Sequence, residues 1–205
     1  NYRKLFYSPA VPLGTKFHSF FHLLNSSMFL LVLTVAVLSI PMLYVKANNP
    51  EMGWVFHVLA GFAFSTAIFF LCYWLSYSRT HGGGFKNFIK YTGMFFTFFS
   101  VAMGFSVHNS IAVLEGHFGK KSAFVRTPKF NIKSVGDSWK GNVYVKNRFS
   151  PGTIIEGMLM LYFGYGMYSA FVVGQSAGDF GLFPFHLMLF LGFGFVFFKS
   201  LQHGT

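Results

Sequence analysis

With 205 residues, 53% of them hydrophobic and 10% charged, the chain lies outside the range of water-soluble globular domains. A net charge of +11 would suit nucleic acid, but the cations sit in loops and flanks between apolar runs, where membrane topology accounts for them and a nucleic-acid partner is not implied. Cys72 is the only cysteine, which excludes an intrachain disulfide and a cysteine-rich metal site.

The chain opens on Asn1 rather than Met, with no signal-peptide pattern ahead of its apolar runs, and is expected to be part of a longer polypeptide. Residues 1–24 mix Arg3, Lys4 and Lys16 with Tyr2, Phe6, Tyr7, Phe17, Phe20 and Phe21. That mixture predicts an amphipathic segment at the membrane surface, cations outward and rings at headgroup depth. Residues 25–77 read as a transmembrane hairpin. Its first span is Asn25–Tyr44, where twenty helical residues rise about 30 Å, with Pro41 near the end where a break is cheap. Its second is Gly53–Tyr77, with Trp54 and Trp74 placed like an aromatic belt. Ser78-Arg-Thr-His-Gly-Gly-Gly84 closes the hairpin, and its glycines read as a hinge.

Residues 85–118 are the ambiguous element. No Lys, Arg, Asp or Glu occurs between Lys90 and Glu115, so the segment is long enough to span. Its second half is amphipathic: Val107, Ile111, Leu114 and Phe118 share one helical face, while His108 and Glu115 share another. Residues 119–150 form a polar loop. Residues 151–200 then give a second transmembrane hairpin, Pro151–Gly174 and Phe180–Phe198.

Counting cations decides the topology. If residues 85–118 do not cross, fifteen of the sixteen Lys and Arg fall on one side and only Lys46 on the other. If they cross, the better orientation gives ten to six. The positive-inside bias favours the first arrangement. The predicted fold is therefore all-α and membrane-integral. It has four transmembrane helices, an interfacial or re-entrant helix at 85–118, a cytoplasmic loop, and both termini in the cytoplasm.

Several constellations carry possible chemistry. His81-Gly-Gly-Gly84 is like an esterase oxyanion loop, but no Gly-x-Ser-x-Gly supplies a nucleophile. His57 and His186 sit inside predicted spans and His22 and His108 near others, which keeps open a non-enzymatic anchor bearing haem on His57 and His186. No Glu-x-x-His pair accompanies them, and no metal ligands are assigned. Glu115 is placed to pair with Lys120 or Lys121, and Glu156 to face a helix N-terminus in the first turn of its span. Gly166, Ala170 and Gly174 form a small-residue ridge for close helix packing.

The loop Gly119-Lys-Lys-Ser-Ala-Phe-Val-Arg-Thr-Pro-Lys-Phe130 is the richest run. Pro128 fixes its own φ and makes Thr127 extended, while Arg126 and Lys129 suit phosphate, one as a planar fork and one as a point charge. On residues alone it reads first as a positive-inside membrane loop with an incidental proline. The run resembles the gating loop of processive family 2 glycosyltransferases, of which bacterial cellulose synthase is the best-known type. There a Phe-x-Val-Thr-x-Lys motif follows an interfacial helix and covers the nucleotide-sugar; Phe124, Thr127 and Lys129 match it, with Arg126 in place of Val. The preceding His108-Asn-Ser-Ile-Ala-Val-Leu-Glu-Gly116 is similar to bacterial members of that family.

The resemblance implies a multi-pass region of the bacterial inner membrane that forms part of a glycan channel. Its partners would be membrane lipid, a nucleotide-sugar and a nascent glycan. Phe124, Arg126, Thr127 and Lys129 would contact substrate, supported by His108 and Glu115. The family also uses Asp-x-Asp, a catalytic Asp and Gln-x-x-Arg-Trp. Glu51, Glu115, Asp137, Glu156 and Asp179 are the only acids here, and they form none of these motifs. No catalytic residue and no cofactor is therefore assigned to this chain. The catalytic domain, with its Mg2+ or Mn2+, is expected upstream or on another segment.

Overall fold

The computed structural model describes residues 6–61, 63–120, 151–173 and 180–202. All regular structure among them is helical: α1 (Leu13–Asn25), α2 (Met28–Asn48), α3 (Gly53–Gly61), α4 (Ala63–His81), α5 (Phe85–Gly104), α6 (Ser106–His117), α7 (Pro151–Val172) and α8 (Phe183–Gln202). Short 3-10 turns at Pro50–Met52 and Phe180–Leu182 lead into α3 and α8. By length and composition, α2 and α8 are able to cross a membrane, and α5 with α6 is a third candidate, bent by 41° at the break. The large apolar side chains on the outside, among them Phe64, Ile68, Phe69, Leu71 and Leu161, suit a membrane protein. The hydropathy of α7 is diluted by Glu156, four glycines and three tyrosines, and that of α4 by its Ser, Thr, Tyr, Arg79 and His81.

α8 is the centre of the bundle. It packs most extensively on α7, then on α5, while α2 packs on α6 and α7. The core is formed by Ala36 and Ile40 of α2, Val107 of α6, Phe163 of α7, and Leu189 and Phe193 of α8. Phe163 lies nearly parallel to Phe193, their centroids 5.5 Å apart. The α5–α8 crossing is backbone on backbone. A Cβ on Gly192 would overlap the Ser100 carbonyl, and one on Gly104 would overlap the Gly192 carbonyl. Small residues let membrane helices approach this closely. Of the predicted ridge on α7, Gly166 and Ala170 do face neighbours: a Cβ at Gly166 would meet Ile40, and Ala170 is fully buried. Gly174 lies outside the described residues.

Pro41 does not end its helix. α2 continues to Asn48. A proline in a helix removes the hydrogen bond to the carbonyl four residues back, here Val37, and in an apolar medium that oxygen needs another donor. The Tyr162 hydroxyl of α7 donates to Val37 O at 2.7 Å. The proline thus creates an acceptor that ties α2 to α7. Tyr162→Phe, which removes only the donor, is expected to destabilise the protein by about 1–2 kcal/mol. Thermal melting of purified protein in detergent measures it, and unchanged melting would contradict this role for the hydroxyl.

α4 and α5 form a hairpin held by aromatic contacts. Phe70, Trp74 and Tyr77 pair with Phe88, Tyr91 and Phe95, and the Tyr91 hydroxyl donates to Phe70 O at 2.6 Å. The glycine run makes the turn. Gly82 and Gly84 have φ of 83° and 112°, and Asn87 Nδ2 donates to the His81 and Gly82 carbonyls. This is a capped turn as well as a place where glycine is required.

Candidate functional site

The predicted loop residues Phe124, Arg126, Thr127 and Lys129 lie outside the described residues. The two supporting residues lie within them, on α6, and they part company. Glu115 accepts from Lys120 Nζ on the surface, the partner its spacing predicts. His108 turns to α7 instead, its Nδ1 2.8 Å from Glu156 Oε1.

Glu156 differs from expectation. It falls in the second turn of α7, not the first, and its side chain is fully buried among helices rather than facing a helix N-terminus. Ser200 Oγ of α8 donates to its second oxygen at 3.3 Å. Three helices therefore meet at one carboxylate. The His108 contact has ion-pair distance without hydrogen-bond alignment, so Oε1 keeps no aligned donor among the described residues. The hydroxyls of Ser106 and Ser110 on α6 are likewise buried and unpartnered. His108 itself is half exposed.

The apolar stripe of α6 divides between core and surface. Ser106, Val107 and Ser110 are buried, whereas Ile111, Leu114 and Phe118 are exposed, Phe118 at 85%. Only Val107 of the apolar stripe enters the core. The amphipathic pattern locates a helix edge that is greasy but outward-facing, as suits contact with lipid. On the other side of α6, Asn109 and His117 line a cleft of about 700 Å3 shared with His22, Ser26, Ser27 and Phe29. That cleft separates α6 from the joint between α1 and α2.

A second polar cluster lies towards the opposite end of α7 and was not foreseen. Fully buried His186 accepts or donates through Nε2 to Ser39 Oγ at 2.9 Å, and Phe163 stacks on its ring. One turn beyond, Tyr44 Oη meets Tyr165 Oη at 2.6 Å and Ser169 Oγ at 3.0 Å. These bonds join α2, α7 and α8 through side chains. The sequence signal is a tyrosine and a serine inside an apolar run, too common in such segments to decide anything alone. His57 Nδ1 donates to Gly53 O in its own helix. His186 is enclosed on every side, so neither ring nitrogen opens onto room for a macrocycle, and these two histidines do not fit a haem site. No group of three or more His, Cys, Asp or Glu side chains converges among the described residues.

No family model, no curated protein and no solved structure matches the chain.

Proposed function

We propose that this chain is the membrane region of a processive family 2 glycosyltransferase of the bacterial inner membrane, which polymerises sugars from a nucleotide-sugar and passes the glycan outward. The observation that carries the reading is the order of parts at α6: the apolar helix α5, which enters the membrane without crossing it in this reading, a 41° bend, a short helix with a greasy outer edge, and then the Phe124–Lys129 motif. The bend at Phe105 and the exposed Ile111, Leu114 and Phe118 support an α6 lying at the membrane face rather than completing a span. In this reading α2, α3–α4, α7 and α8 make four crossings, with α1 and α6 at the cytoplasmic surface. Lys129 and Arg126 hold the diphosphate, Thr127 donates a hydrogen bond, and Phe124 seats the loop in the catalytic pocket. The acids that bind metal and activate the acceptor belong to a catalytic domain outside this chain.

Topology tests the arrangement. Single cysteines at Ser122, Lys133 and Asn48, in a Cys72→Ser background, are labelled in intact cells with a membrane-impermeant maleimide. Asn48→Cys is expected to label, and the other two only after the membrane is opened. Labelling of Ser122→Cys from outside would refute four crossings.

A further inference from the structure

The contact between His108 and Glu156 has a consequence for how α6 is held. α6 begins directly after the bend at Phe105 and packs mainly on α2, with Val107 as its one residue in the apolar core. Its link to α7 runs through a carboxylate that α7 buries completely and α8 braces through Ser200. A buried carboxylate is costly unless partnered, and its partners are then strongly constrained in position. On the rest of the seat Ser106 and Ser110 are buried with no hydrogen-bond partner among the described residues, and Ile111, Leu114 and Phe118 face outward. α6 thus has two attachments, its packing on α2 and its polar contact with Glu156 of α7, and only the second ties it to α7 and α8 through a side-chain contact of ion-pair distance.

We propose that Glu156 is a positioning residue which, through His108, sets how α6 sits on α7 and α8. It thereby fixes the end of α6 from which the chain continues towards residue 121. The effect of this on sugar transfer rests on the function proposed above; the positioning itself does not. Ser200 orients the carboxylate so that one oxygen meets α8 and the other meets α6. The nearest acid on α6, Glu115, is committed to Lys120 at the far end of the helix and cannot replace it.

Hydrogen–deuterium exchange of the full-length protein in nanodiscs tests this, read peptide by peptide and followed by transfer kinetics on the same samples. Glu156→Gln keeps the shape of the side chain and removes its charge. Exchange is expected to rise at least tenfold across residues 106–117, with 151–172 and 183–202 unchanged. Catalytic efficiency is expected to fall about tenfold with protein amount maintained. His108→Ala should give the same pattern, and the double variant should be no worse than either single one, because both break one contact. His108→Lys, which places a cation opposite the carboxylate, should restore most of the protection. Equal loss of protection in all helices, or additive losses in the double variant, would overturn the proposal. Unchanged exchange in 106–117 would overturn it as well. A wild-type protein inert towards nucleotide-sugars but showing the selective exchange pattern would retire the glycosyltransferase reading and leave the anchor standing.

Discussion

Gly192→Ala is expected to separate α5 from α8 and cost more stability than any other single methyl group added to this protein. The site has no room: the new carbon would stand on the Ser100 carbonyl oxygen, and the obstruction is backbone that no rotamer change can move. Overpacking of a close-packed site costs about 1–3 kcal/mol, and more where main chain must shift. Because α8 also carries Leu189 and Phe193 into the core, the displacement would be felt at the α7 interface too. Gly104→Ala meets the same crossing from the other side and should behave alike. Gly164→Ala is the control, since a carbon there would meet the Phe190 ring at an ordinary 3.5 Å. Melting followed by size-exclusion chromatography in detergent should place the Gly192 variant roughly 6–12 °C below wild type for a 3 kcal/mol loss. The Gly164 variant should melt with the wild type. Coincident melting of all three would mean that α5 and α8 do not cross at these glycines.

The second large effect concerns the motif after α6. If Phe124–Lys129 is only a charged connector, variants that keep its charge should keep activity. If it closes over a nucleotide diphosphate, particular groups matter. Phe124→Ala and Thr127→Ala change no charge, and Lys129→Arg exchanges a point charge for a planar fork. A hydrogen bond to a charged group contributes about 1.5–3 kcal/mol, so losing one lowers turnover efficiency roughly tenfold to a hundredfold. On the gating reading, each of the three substitutions is expected to produce a loss of that order in sugar transfer by the full-length protein, with insertion and abundance unchanged. Near-wild-type transfer by both alanine variants would leave this run a topological signal only.

How far the sequence was legible depends on which physical signal each feature left in it. Apolar runs marked the long helices but not their ends or breaks: α2 runs from Met28 to Asn48 rather than Asn25 to Tyr44, and the single element expected at 85–118 is two helices, α5 and α6. Pro41 misled for a definite reason. A proline's cost in a helix depends on whether another residue supplies the missing donor, and Tyr162 lies 121 positions away in the chain. Glu115–Lys120 could be read locally, since five residues of helix and turn bring the two together. Glu156–His108 could not, being 48 positions apart and decided by how α6 rotates on the bundle. The Val107–Phe118 stripe divides for the same reason: Val107 enters the core while Ile111, Leu114 and Phe118 face outward, as apolar surface can where lipid is the solvent. Gly192 was passed over because Leu-Gly-Phe-Gly-Phe looks like any flexible apolar stretch until the carbonyl opposite it is known.

The central claim, that this membrane region serves sugar polymerisation, is tested most directly by transfer itself. Membranes containing the full-length polypeptide, and membranes lacking it, are given a panel of radiolabelled nucleoside-diphosphate sugars. Label retained in high-molecular-weight glycan is then counted. The account predicts retention from at least one donor, only where the protein is present, and reduced about tenfold or more by Thr127→Ala at equal protein amount. Equal background counts for every donor with and without the protein would contradict it.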